Sequence, residues 1–239
     1  MIKEIVRRDF KLIDENEEIR KIFGYIYGEA EFPIIVSNKK AIGIIDERNL
    51  IKSRVLGNEK IKRFVVGVPK IDGTFSIQKA KSVMIASGAD RLIVTSEKEI
   101  IGYVRLVDIL KKTGLQKTAK ELMKSIPSLE EKNTVAEAIN IMKTSNRKFV
   151  PVLFDKKFSG VIGVREILPL ISTKEKARDY HPEKTSLLET SLVGLVREIP
   201  ICNENEKGDE IIKIIEERDV VAVCRGNEYL GLIEEIDLL

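Results

Sequence analysis

The stretch IIGYVRLVDIL, residues 100–110, decides how this chain is read. Ile100 to Val104 are apolar or small, as in a strand, and Asp108 then stands among apolar residues suited to a helix start. The pattern occurs four times. AIGIIDERNLI covers Ala41–Ile51, FSGVIGVREIL covers Phe158–Leu168, and YLGLIEEIDLL covers Tyr229–Leu239. In each, a glycine (Gly43, Gly102, Gly160 or Gly231) is flanked by apolar residues. Six positions later comes a polar residue: Asn49, Asp108, Glu166 or Asp237. Self-similarity of this kind implies repeated supersecondary units that bury their apolar faces against one another.

The third copy is the clearest. TAKELM (Thr118–Met123) is helical, and SIPSL (Ser125–Leu129) is a short extended piece. Val135, Ala138, Ile139 and Met142 recur at helical spacing. Thr134 before them, with Glu137 three residues on, reads as a capping box. KFVPVLF, the turn DKK and FSGVIGV form a hairpin, and REILPLI closes the unit as a helix. The first unit has Ile19, Ile22, Phe23 and Ile26 as its helix, and the second has Ile77, Ala80, Lys81 and Met84. The expected fold is therefore α/β, with four βαββα units. The boundaries fall at about 1–56, 57–115, 116–172 and 183–239, with a charged linker at 173–182. A unit this small buries little surface alone, so units must pack in pairs. The expected pairs are one with two and three with four.

The totals limit the function classes. The chain has 239 residues, 43% hydrophobic and 33% charged, which suits a soluble protein with a real core. Lys+Arg 41 against Asp+Glu 38 is nearly balanced, so nucleic acid is not the expected partner. No apolar run approaches the roughly 18 residues of a membrane span. The start, MIKEIVRRDF, lacks the apolar region of a signal peptide, and a cytoplasmic location is expected. Cys202 and Cys224 read as reduced core thiols. The absence of Trp and the scarcity of Gln point to a thermophilic habitat. His181 is the only histidine, and no nucleophile, zinc or phosphate-loop signature appears, so neither a metal nor catalysis is expected. LLETSLVGLV (Leu187–Val196) is apolar at helical intervals and is expected to form a helix that opens the fourth unit.

The run TVAEAINIM followed by KFVPVLFDKKFSGVIGVREIL resembles the CBS domain, the module named after cystathionine β-synthase. Four consecutive units are similar in plan to the gamma subunit of AMP-activated kinase, whose pairs form one flat disc. The resemblance implies a regulatory protein that binds AMP, ADP, ATP or S-adenosylmethionine in clefts between paired units and signals to a protein partner or a second copy. A ligand-free scaffold acting by protein contact is the alternative. No cofactor is implied beyond a bound adenine nucleotide.

The family's ligand positions, carried onto this chain, favour the second unit. They are Lys70 and Ile71 on the first short strand, Arg91 before LIV, and Gly102, Tyr103, Arg105 and Asp108 in the opening stretch. A carboxylate such as Asp108 can accept both hydroxyls of a ribose cis-diol, and arginines hold phosphate. Arg105 departs from the family's Ser or Thr. Weaker candidates are Ser128, Arg147, Lys148 and Glu166 in unit three and Asp237 in unit four. Unit one places Leu12, Glu31, Asp46 and Asn49 at these positions, where negative charge repels phosphate.

Overall fold

The computed structural model describes residues 1–28, 31–53, 57–172 and 189–239. Unit one comprises β1 (Phe10–Asp14), α1 (Arg20–Gly28), β2 (Phe32–Ser37), β3 (Lys40–Ile45) and α2 (Glu47–Lys52). A short strand, β4 (Val65–Val66), follows. Unit two has β5 (Lys70–Asp72), α3 (Ile77–Ser87), β6 (Arg91–Ser96), β7 (Glu99–Arg105) and α4 (Leu106–Thr113). After α5 (Ala119–Leu122), unit three has β8 (Leu129–Glu130), α6 (Val135–Ser145), β9 (Phe149–Phe154), β10 (Lys157–Gly163) and α7 (Val164–Ser172). Unit four has β11 (Ile201–Cys202), α8 (Gly208–Arg218), β12 (Val220–Arg225), β13 (Glu228–Glu234) and a closing 3-10 turn, Glu235–Leu238. No helix among the described residues is long and apolar enough to cross a membrane.

Within each unit the short first strand runs parallel to the middle strand, and the last two strands form an antiparallel hairpin. Three hairpins turn on two successive residues with positive φ: Asn38 and Lys39, Glu97 and Lys98, Asp155 and Lys156. That backbone matches the right-handed twist of the strands it joins. The long helix α6 begins as its sequence requires. Glu137 N donates to Thr134 Oγ1 at 3.3 Å and Thr134 N donates to Glu137 Oε2 at 2.6 Å. Thr134→Ala is expected to cost about 1 kcal/mol of stability, read as a lower denaturant midpoint at unchanged slope.

The repeated glycine has one physical cause in all four units. A segment from the paired unit crosses at that point, and a Cβ would strike its backbone. A Cβ on Gly43 would lie 2.1 Å from Val66 O and one on Gly102 2.1 Å from Arg7 O. On Gly160 it would lie 2.5 Å from Arg197 O, and on Gly231 2.8 Å from Lys124 O. The crossing residues are therefore equivalent, and each bridges the residue after the glycine: Val66 with Ile44, Arg7 with Tyr103, Arg197 with Val161, Lys124 with Leu232. The leading segment of unit one crosses unit two, and that of unit two crosses unit one. Units three and four exchange their leading segments in the same way.

These exchanges make two pairs. Ile34, Ala41 and Ile44 of unit one pack on Ile93 and Tyr103 of unit two. Phe149 and Val161 of unit three pack on Val220, Ala222 and Leu232 of unit four. The helical faces join the pairs crosswise. One core unites units one and three, through Ile22, Leu50, Met142 and Ile167. The other unites units two and four, through Met84, Ile109, Ile211 and Val223. Each unit thus has one neighbour through its sheet and another through its helices, and the four close a ring.

One expectation is overturned. Residues 173–188, which contain the charged linker, His181 and the start of LLETSLVGLV, lie outside the described residues. The remainder of that stretch, Glu189–Val196, is not a continuing helix. Ser191 bridges Thr134, and Leu192 N donates to the carbonyls of Glu131 and Asn133, both at 3.0 Å. Gly194, at φ +80°, turns the chain back. Leu192 is fully buried, in the core shared by units one and three. Leu195 and Val196 pack against the same core, partly buried, so the apolar spacing of the stretch serves a turn anchored by Leu192.

Candidate functional site

The ring has a charged centre. A cavity of about 240 Å³ there is lined by all four units and by the leading segment. Its wall from unit one is largely apolar, with Ile22, Tyr25, Ile26, Phe32, Pro33 and Ile45. The lining also carries the cations Arg91, Arg105, Lys148 and Arg165, together with Arg7. The acids are Asp9, Glu31, Glu47, Glu216, Glu217 and Asp219.

Arg91 opens β6 and lies over the Phe32 ring, 5.4 Å from its centre. Its Nη1 is 3.1 Å from Asp90 and its Nη2 3.7 Å from Glu235, while its buried Nε has no hydrogen-bond partner among the described residues. Arg105 ends β7 and donates to Glu235 through Nε at 3.0 Å and Nη2 at 2.7 Å, and to Asp219 at 3.2 Å. Arg165 lies 3.7 Å from both Glu47 and Asp219. Lys148 differs from these. It lies two residues after the left-handed Asn146 that ends α6. Its backbone N donates to Glu234 at 3.2 Å, its carbonyl accepts from Val164 N at 3.1 Å, and its Nζ lies 5.9 Å from the centre of the Phe149 ring. Among the described residues its ammonium has no hydrogen bond or ion pair. Burial disfavours the charge, but the field of Glu47, Asp219 and Glu234 outweighs it and raises the Lys148 pKa. Lys148 is therefore a fixed cation whose donors have no hydrogen-bond acceptor among the described residues.

Arg91, Tyr103 and Arg105, expected to act together, do share this cavity, and Lys148 joins them from unit three. Tyr103 is buried, its hydroxyl donates to Asp9 at 3.4 Å, and burial pushes its pKa up to about 12. The other candidates lie elsewhere. Lys70 is exposed, and its Nζ donates to Ala41 O at 2.9 Å. Ile71 is in the core between units two and four, and Gly102 takes the Arg7 crossing. Ser128 is exposed. The three acids six positions after a glycine all meet an internal arginine. Asp108 accepts from Arg7, Glu166 is 3.4 Å from Arg197 Nε, and Asp237 accepts from Arg147 at 2.8 Å. They also accept backbone N–H groups, from Arg105, Gly163 and Glu234, as first-turn helix acids do.

Sequence reasoning missed Arg7, Asp9, Glu47, Arg165, Asp219 and Glu235. One signal was available. Asp90, Lys148 and Asp219 all stand twelve residues before a repeat glycine, just ahead of a middle strand. That position brings Lys148 and Asp219 to the cavity and Asp90 beside Arg91.

The CBS domain family model matches residues 2–55, 64–113 and 119–173. No curated protein matches the chain. Among solved structures, protein MJ1225 from Methanocaldococcus jannaschii, a proposed archaeal homologue of AMPK gamma, is similar with a TM-score of 0.78 at 14% identity, over 99% of this chain and 98% of that one. An uncharacterized conserved protein from Pyrococcus horikoshii is similar with a TM-score of 0.61 at 16% identity, over 99% and 97%. At these identities the likeness is one of fold. With three matched segments spread over most of its length, four units of the expected topology and two exchanged pairs, the chain belongs to the CBS domain family.

Proposed function

We propose that this protein is a regulatory sensor whose central cavity receives an adenosine-type ligand, AMP, ADP, ATP or S-adenosylmethionine, and passes its occupancy to a protein partner. CBS domains are typically regulatory and commonly bind adenine nucleotides. The observation that carries the reading here is Lys148, a cation without a hydrogen-bond acceptor among the described residues, facing a cavity that also has an apolar wall. Phosphate meets Lys148 and Arg91, the purine lies against the wall of Tyr25, Ile26 and Phe32, and Asp108, held outside the cavity lining by Arg7, takes the ribose diol once that contact opens. Because the cavity draws on all four units, a ligand there favours one arrangement of the two pairs over another, and that difference is the signal.

Titration calorimetry with AMP, ATP and S-adenosylmethionine tests this. Lys148→Ala is expected to weaken AMP and ATP binding by about ten- to a hundredfold, the loss of hydrogen bonds to a charged group. Binding of S-adenosylmethionine, which has no phosphate, is expected to change little. A second reading is a scaffold that works by protein contact alone. It is favoured by the internal arginines that already hold Asp108, Glu166 and Asp237. Failure of all three ligands to bind or to raise the thermal midpoint would leave the scaffold in front.

A further inference from the structure

The four glycine crossings make Arg7, Val66, Lys124 and Arg197 equivalent residues of the four leading segments. Each faces the unit whose sixth residue after the glycine is, in that order, Asp108, Asn49, Asp237 or Glu166. A basic residue crosses wherever that position is acidic, and valine crosses where it is asparagine. In two of the three acidic cases the crossing residue itself reaches the acid, Arg7 to Asp108 and Arg197 to Glu166.

The Arg7 contact is the tighter of the two. Its Nε donates to Asp108 Oδ1 at 3.1 Å and Oδ2 at 2.9 Å, and its Nη2 donates to Oδ1 at 2.7 Å. The Asp108 side chain keeps only 10% of its surface exposed. A guanidinium fork of this kind uses the two oxygens that a ribose diol requires, so the two occupants exclude each other. Arg7 also has somewhere to go. Its Nη2 is already 3.7 Å from Glu216 Oε1, on α8 of unit four. Its backbone stays in place, because Arg7 N donates to Tyr103 O at 2.9 Å and Tyr103 N donates to Arg7 O at 3.2 Å. Only the side chain needs to swing.

We infer that Arg7 is an internal plug of the Asp108 cleft, which a ribose-bearing ligand displaces toward Glu216. This rests on the reading that Asp108 receives the ribose. The displaced guanidinium leaves unit two for unit four, so occupancy of one pair tightens its contact with the other. Arg7 is then the residue that converts binding into a changed joint between pairs.

Two measurements test it on the full chain. The Arg7 Nε–H resonance, assigned by its loss in Arg7→Met, is expected to exchange slowly with solvent in wild type and quickly in Asp108→Asn. Fast exchange in wild type overturns the plug whatever any nucleotide does. AMP affinity is then compared by calorimetry. Arg7→Met, which keeps the apolar stem, is expected to bind AMP about tenfold more tightly, because no charge-assisted contact must first be broken. Arg7→Lys, which keeps the charge without the fork, is expected to fall between the two and serves if the methionine variant does not fold. Equal or weaker binding by these variants, with wild type still binding, overturns the plug and leaves the cavity reading intact. No AMP binding by any of them overturns both.

Discussion

Glu235→Ala is expected to lower the unfolding free energy by about 3–5 kcal/mol, the cost of leaving a buried cation without its partner. Glu235 is only 2% exposed and lies at the first position of the closing turn of unit four. It accepts from Arg105 Nε and Nη2 and from Val107 N, with Arg91 Nη2 a further 3.7 Å away. One carboxylate thus serves two arginines of unit two across the joint between pairs. Alanine would leave Arg105 with Asp219 alone, at 3.2 Å and partly exposed. The double variant Arg105→Met, Glu235→Leu removes both charges and is expected to recover most of the loss, since an apolar pair of similar size carries no desolvation cost. Denaturant titration measures both. A loss below about 1 kcal/mol in the single variant would show that water or a neighbour compensates Arg105 freely.

What was legible in the sequence was whatever one unit determines by itself. The Thr134–Glu137 cap, the helix through Ile19, Ile22 and Ile26, and the buried Met142 follow from periods and caps within a dozen residues. The repeat glycines were visible too, and their recurrence pointed to the fold, but their cause was not. Gly102 is required by Arg7, ninety-five positions earlier, and Gly160 by Arg197 from beyond the linker. The centre of the ring was harder still. Lys70 was placed by its family position, yet a short strand edge turns its ammonium to Ala41 O. Asp219 and Glu235 match no ligand motif. They matter because helical packing of unit four on unit two carries them against Arg105. Arg7 precedes the first strand of unit one and meets Asp108 of unit two, where a search within units does not look. Local periodicity decides which faces are apolar, whereas ring closure decides which charges meet.

Glu234 carries the last expectation. It is fully buried at the end of β13, and burial, helped by Asp237, pushes its carboxyl up to about 7 against the pull of Lys148, Arg147 and Arg48. Its oxygens accept from Lys148 N at 3.2 and 3.5 Å, which does little to offset lost hydration. A folded value above the unfolded carboxylate range of about 4.5 means that the native state binds the extra proton. Stability should therefore fall as pH rises from about 4.5 to about 7 and level off above that, the reverse of an ion-paired acid. Glu234→Gln removes the titration and is expected to be more stable than wild type at pH 8 by on the order of 3 kcal/mol, with little difference near pH 4.5. Unfolding free energies at pH 5 and 8 decide the matter, and parallel behaviour of the two proteins would show that Lys148 and Arg147 keep Glu234 ionised throughout. The same proton bears on the cavity. Ionised Glu234 adds a negative charge to the field around Lys148, so Glu234→Gln is expected to bind phosphate more tightly than wild type at pH 8 and about equally near pH 5.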